Sequence, residues 1–159
     1  MLLAVLLVAV AILLSAKHLH FFGRVLSVVP TVIDGDTIQD GGIRIRLHGI
    51  DAPESAQSCK DEAGRTWNCG DAATAALQTF IGGSKIECRQ TDTDRYGRIV
   101  AVCYKDGIDI NAWLVRNGWA VAYLRYSFDY LIDEVAARFD GLGIWSGDFM
   151  NPERWRRRH

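Results

Sequence analysis

Four carboxylates and an arginine fall close together near the start of the chain. They lie in Asp34-Gly35-Asp36-Thr37 and in Arg46-Leu47-His48-Gly49-Ile50-Asp51-Ala52-Pro53-Glu54. Read as one extended run over 31–39, the first segment projects Asp34 and Asp36 to the same side of a strand. A hairpin counted about Gly41 sets Asp36 roughly opposite Arg46. Asp51 lies just beyond the end of the next strand, and Pro53 turns the chain so that Glu54 returns to the same rim. Carboxylates that converge without cysteine ligands, and with His48 as the only imidazole nearby, suit a hard cation such as Ca2+, Mg2+ or Mn2+. A plainer reading stands beside this one. Asp-Gly-Asp is a common turn sequence, and an Asp36–Arg46 cross-strand pair by itself is worth little.

A second segment, Asp94-Arg95-Tyr96-Gly97-Arg98, favours the chemical reading. It supplies Arg98, a second planar donor of the kind that recognises phosphate. A cation, two guanidinium groups and a spare carboxylate are the parts that phosphodiester hydrolysis needs. The positive groups neutralise charge that builds on the phosphorane, and the carboxylate orients or deprotonates a water.

The surrounding pattern supplies elements to hold these groups. Residues 24–29 are rich in β-branched side chains and stop at Pro30. After the run over 31–39, Asp40-Gly41-Gly42 is a turn signal, and Ile43-Arg44-Ile45-Arg46-Leu47 alternates strictly. Ala73, Ala76, Leu77, Phe80 and Ile81 follow helical spacing between Gly70-Asp71 and Gly82-Gly83. Strands over 85–92 and 99–104 flank the Asp94–Gly97 turn. A short helix runs from Asp109 to about Asn117, with Trp113 and Leu114 inward. Another starts near Ser127, with Leu131, Val135 and Phe139 on one face, and ends at Gly141. Five short strands with helices around them predict an α+β domain, a small barrel with three packed helices.

The four cysteines fit this layout. In a hairpin turning on Arg95-Tyr96, Cys88 faces Cys103, close enough to bridge. Cys59 and Cys69 flank a polar, glycine-containing loop that a second bridge closes. Of the three possible connectivities, 59–69 with 88–103 is preferred. The spacings do not suit zinc.

The chain has 159 residues, and 18 Lys+Arg against 19 Asp+Glu give a formal net charge of -1. That excludes a binder driven by a global basic field, so an anionic partner must be met by local charge. At 49% hydrophobic and 23% charged residues the chain is not disordered. Met1 to Ala16 carries no charged side chain. As a helix it spans roughly 24 Å, short of a bilayer core of about 30 Å. It reads as an export signal, with an uncleaved membrane anchor as the alternative. Residues 17–23 form a linker, in which His18 and His20 are assigned no role. The folded domain covers 24–146, and 147–159 is a basic tail. Its run Arg154-Trp155-Arg156-Arg157-Arg158 suits a nucleic-acid backbone or an anionic lipid surface, although a solvated terminus is the commoner case.

Three segments taken in order (DGDT, R-L-x-G-I-D-A-P-E and D-R-Y-G-R) resemble those of the thermonuclease, or staphylococcal nuclease-like, family. The similarity continues through Leu114-Val115-Arg116-Asn117-Gly118-Trp119-Ala120 and Gly143-Ile144-Trp145, and covers nearly everything from Arg24 to Trp145. It implies a five-stranded OB-fold barrel with three helices, and Ca2+-dependent hydrolysis of DNA and RNA that leaves 3′-phosphate ends. Carried over by position, Asp36 and Asp51 are metal ligands, together with the main-chain carbonyl of Ala52, which stands where the family has threonine. Asp34 acts on the metal through water. Glu54 takes the general-base position, and Arg46 and Arg98 the two phosphate-binding positions. Arg95 and Tyr96 match substrate contacts in the turn. The family's paired tyrosines lie two residues apart, whereas Tyr123 and Tyr126 lie three apart, so one of them is out of register.

The sequence thus predicts an exported monomeric nuclease (periplasmic, extracellular or held at a membrane by its N-terminal segment), using Ca2+, or Mg2+ or Mn2+, on DNA and RNA, single strands favoured. The alternative is a non-catalytic OB-fold module that binds single-stranded nucleic acid or a protein.

Overall fold

The alternation in Ile43–Leu47 becomes a strand at the middle of the main sheet, with Ile45 and Leu47 turned into the core. The computed structural model describes residues 23–159. The expected leader, and His18 and His20, lie outside the described residues. Among those described, no helix is long and apolar enough to cross a membrane.

The sheet is built from β1 (Val25–Val28), β2 (Thr31–Asp34), β3 (Thr37–Asp40), β4 (Ile43–Leu47), β8 (Ile86–Thr93) and β9 (Ile99–Lys105) in the order β1-β8-β9-β4-β3-β2, with β10 (Ile108–Asp109) against β9. All pairs are antiparallel except β4 with β9. Short pieces complete the strands: β5 (Ile50–Asp51) pairs with β11 (Val121–Ala122), and β6 (Cys59–Lys60) with β7 (Thr66–Trp67). Helices α1 (Cys69–Ile81), α2 (Ile110–Arg116), α3 (Leu131–Phe139) and α4 (Pro152–Arg156) surround the curled sheet. Ile38, Ile45, Leu47 and Ile50 from the strands meet Leu77 and Ile81 of α1 and Leu114 of α2 in one core. This is the α+β, strand-rich architecture expected, as a curled half-barrel; beyond the three expected helices, α4 lies in the stretch read as a basic tail.

Three local expectations change. The run over 31–39 is not one strand: Gly35 and Asp36 form a tight turn between β2 and β3. A side chain at Gly35 would press on Ala52 and Ala73, its Cβ 2.7 Å from that of Ala52, so this turn packs directly on the functional segments. Next, the β3–β4 turn is centred between Gly41 and Gly42, so Arg46 pairs with Thr37 rather than Asp36. Last, Val135 and Phe139 point outward, Phe139 being 91% exposed. The Ala122 N–H at the end of β11 needs a buried acceptor, and Glu134 supplies it (2.5 Å). That turns the face bearing Tyr130, Glu134 and Ala137 inward.

Both preferred disulfides are present. Cys88 sits opposite Cys103 in the β8–β9 register and is bonded to it, and Cys59 is bonded to Cys69. The Cys88–Cys103 bridge lies wholly in the core and spans 15 residues, a loop whose closure is worth about 3 kcal/mol. Replacing both cysteines by alanine is expected to lower the denaturant midpoint by a comparable stability. A loss under about 0.5 kcal/mol would show that the sheet holds the register unaided.

Candidate active site

The site grows from the β2–β3 turn. Asp34 closes that turn by accepting the Asp36 N–H (3.0 Å). Asp36 is then presented, 4% exposed, between two segments. Its Oδ2 accepts the Ala52 N–H (3.1 Å), and its Oδ1 accepts from the Thr37 hydroxyl (3.1 Å) and from Arg46 Nη1 (2.9 Å). Arg46 reaches across with its other nitrogen, Nη2 donating to Asp51 Oδ1 (3.0 Å). One guanidinium therefore ties together two buried carboxylates, one on the β2–β3 turn and one on β5. The β5–β11 pairing fixes Asp51, which is fully buried opposite Val121.

Glu54 lies past the turn that Pro53 begins, its side chain one-third open to solvent. The fully buried Gln57 holds this turn: its Oε1 accepts the Glu54 N–H (3.2 Å), and its Nε2 donates to the Met150 carbonyl (2.6 Å). Helix α1 begins against the same turn. A Cβ at Gly70 would sit 1.8 Å from the Glu54 carbonyl oxygen, so only glycine lets the helix approach.

A further cation enters from the far end of the chain. Arg156, at the end of α4, donates from Nη1 to Asp51 Oδ1 (2.9 Å) and Glu54 Oε1 (2.7 Å), and from Nη2 to Asp51 Oδ2 (2.9 Å). The sequence marked this residue only as part of a basic run. The signal available was the turn formers Asn151-Pro152 ahead of it, which cap α4 and set its start.

The electrostatics follow from burial and like charge. Burial, with Asp36 beside it, pushes the Asp34 carboxyl up to about 6. Burial also raises the Asp51 carboxyl; Asp36 adds to this, and the bond from Arg156 opposes it. For Arg46, burial weakens the hold on its proton, but Asp36 and Asp51 reverse that and raise it. Arg156 behaves alike: burial lowers it, and the bonds to Asp51 and Glu54 raise it more.

The remaining expected residues fall in two groups. Tyr123 and Tyr126 pack edge to face at 4.9 Å. Burial raises the Tyr123 hydroxyl, and so do the charges of Glu153 and Asp51. Tyr126 is mostly exposed beside it. Arg98 forms no bond to the carboxylates. Its Nε donates to Asp94 Oδ2 (2.7 Å), and the same aspartate accepts the Tyr96 and Arg98 N–H groups. Arg95 lies over the Tyr96 ring and donates to its hydroxyl (2.7 Å). These three residues form a cluster on the β8–β9 turn, separate in its bonding from the Arg46 site. His48 also bonds elsewhere, to Thr91 (3.3 Å) and Asp129 (3.5 Å).

A family described as staphylococcal nuclease homologue matches residues 44–147, from β4 to just past the 3-10 turn at Gly143–Ser146. The chain belongs to the staphylococcal nuclease family. It is 37% identical to the succinoglycan biosynthesis protein ExoI of Rhizobium meliloti over 140 residues, 85% of this chain and 73% of that protein. It is 36% identical to an uncharacterized endonuclease of Escherichia coli, covering 82% of this chain and 84% of that one. With the micrococcal nuclease of Shigella flexneri it shares 32% identity over 81% and 79% of the two chains. This member of the family is a nuclease, a hydrolase of phosphodiester bonds.

The donors at the site suit a hard cation. They are carboxylate and carbonyl oxygens only, and all four cysteines are in disulfides. Among the described residues, no group of three or more Asp, Glu, His or Cys stands ready around one point. The Asp51 oxygens that face the site are taken by the two guanidinium groups.

Proposed function

We propose that the protein is an exported, divalent cation-dependent nuclease, with Ca2+ the preferred ion, acting on both DNA and RNA with little sugar or sequence specificity. The observation that carries this reading is the Arg46 bridge between Asp36 and Asp51, with Glu54 on the same rim. Asp36, Asp51 and the Ala52 carbonyl would hold the cation, with Asp34 behind them. The cation supplies electrophilic stabilisation to a phosphate oxygen. The Arg46 N–H groups not bonded to Asp36 or Asp51 would donate to that oxygen, where charge builds in the transition state. Glu54 accepts a proton from the attacking water, since it is far more open to solvent than Asp36 and Asp51. Tyr123 and Tyr126, packed edge to face, would offer a face for a base or sugar. The turn carrying Arg95, Tyr96 and Arg98 meets the strand further along, with Arg98 released from Asp94 to contact phosphate. The two disulfides suit an oxidising compartment, which agrees with export.

The test is product analysis. The protein, incubated with matched single-stranded DNA and RNA in Ca2+, is expected to cut both at rates within about tenfold, a difference of ~1.4 kcal/mol between the two sugars. Every new 3′ end is expected to carry a phosphate and every new 5′ end a hydroxyl. Cleavage of one nucleic acid only, or 5′-phosphate ends, would overturn the assignment.

A further inference from the structure

Asp51 is the most buried acid of the site, and two guanidinium groups occupy three of its about four lone-pair sites. Its Oδ1 accepts from Arg46 and Arg156, and its Oδ2 accepts from Arg156. A cation that draws on both Asp51 oxygens competes with these donors, because Oδ1 has no lone pair left and Arg156 spans both oxygens. Keeping both would also place the Arg156 guanidinium beside a dication in a partly dry site, where like charges repel.

The segment carrying Arg156 is held so that it can exchange. It is anchored before the helix, where Gln57 donates to the Met150 carbonyl and the Lys60 N–H donates to the Asp148 carbonyl (2.8 Å). The Asn151 side chain caps the helix by accepting the Glu153 N–H (3.0 Å), and Pro152 is buried. Beyond that anchor the contacts are exposed. Glu153 pairs with Arg125 (3.3 Å) and Arg157 (2.6 Å), and Trp155 stacks on His159. Such exposed pairs contribute little. The Arg156 side chain itself is one-third open.

We propose that Arg156 is a positioning residue that stands in for the cation. It holds Asp51 and Glu54 in place in the metal-free protein and is displaced from Asp51 when a divalent cation binds. This rests on the metal-dependent reading above. Arg156 therefore sets the cation affinity of the enzyme, since the ion must compete with an internal one. Once displaced, the guanidinium lies at the edge of the site among Arg154, Arg157 and Arg158, where it faces the anionic substrate.

The full chain and its Arg156→Gln variant should be titrated with Ca2+ by calorimetry, and both melted in EDTA and in saturating Ca2+. The expected result is Ca2+ binding tighter in the variant by about tenfold or more, ~1.4 kcal/mol. Its melting point should fall below wild type in EDTA, with the gap narrowing in Ca2+. A residue that only supports the fold would give a lower melting point in both buffers and no gain in affinity. Wild-type binding with equal or weaker binding in the variant would overturn the proposal and leave the metal site standing. Absence of Ca2+ binding in both proteins would overturn the proposal together with the metal-dependent reading. Should Arg156→Gln fail to fold, Arg156→Lys keeps the charge but loses the two-pronged grip on Asp51. It must then bind Ca2+ more tightly than wild type, and an unchanged affinity would refute the exchange.

Discussion

Replacing Glu54 by glutamine should lower the rate of the chemical step by about 10²–10⁴ and leave the fold in place. Glutamine keeps the shape of the side chain, and its carbonyl oxygen can still accept from Arg156, as Glu54 Oε1 does at 2.7 Å. What it loses is the ability to take a proton. The stability cost is small for two reasons. Glu54 is one-third exposed, and Asp51 retains both of its bonds to Arg156. Partly exposed pairs of this kind are worth about 1 kcal/mol or less. Single-turnover cleavage alongside thermal melting separates the two effects. A rate within threefold of wild type would remove Glu54 from the reaction.

Replacing Arg46 by alanine should cost both activity and stability. Loss of one preorganised donor aimed at developing charge typically lowers the rate by about 10²–10³. The sequence alone suggests that the fold survives this change untouched, as an ordinary cross-strand pair would allow. The bridging geometry says otherwise. Arg46 neutralises Asp36 and Asp51 at once, and both acids are buried. Removing one partner from a buried pair costs about 3–5 kcal/mol. The loss here should fall near 2–3 kcal/mol, because Arg156 still holds Asp51 and the Arg46 side chain is about one-fifth exposed. The destabilisation should be largest in EDTA, where Asp36 keeps no guanidinium partner and Arg156 holds only Asp51 and Glu54. Denaturant unfolding with and without Ca2+ measures this. Equal stability of variant and wild type in EDTA would show that the bridge carries no weight in the fold.

Where local pattern decides structure, the sequence is readable. Strict alternation marks β4, and helical spacing between glycine stops marks α1. Counting residues across one turn pairs Cys88 with Cys103. Failures come where a partner distant in sequence decides. The Gly35–Asp36 turn lies inside a run of β-forming residues, and its packing against Ala52 and Ala73 cannot be seen locally. The inward face of α3 follows from an unpaired N–H at Ala122, which calls Glu134 into the interior. The same holds in the site. Asp36, Arg46, Asp51 and Glu54 come from a short stretch and are brought together as their types suggest. Arg98 has a nearer acid in Asp94 and stays on its own turn. Arg156 is 105 residues from Asp51, and a basic run at the end of a chain gives no register.

The account stands on one claim, that the acidic pocket bridged by Arg46 hydrolyses phosphodiesters with a divalent cation. The most direct measurement is cleavage of single-stranded DNA by the wild type and Glu54→Gln proteins, each in Ca2+ and in EDTA. The account predicts cleavage in one tube of the four, wild type with Ca2+, and restoration when Ca2+ is returned to the chelated sample. Undiminished cleavage in EDTA, or equal cleavage by Glu54→Gln, would contradict it.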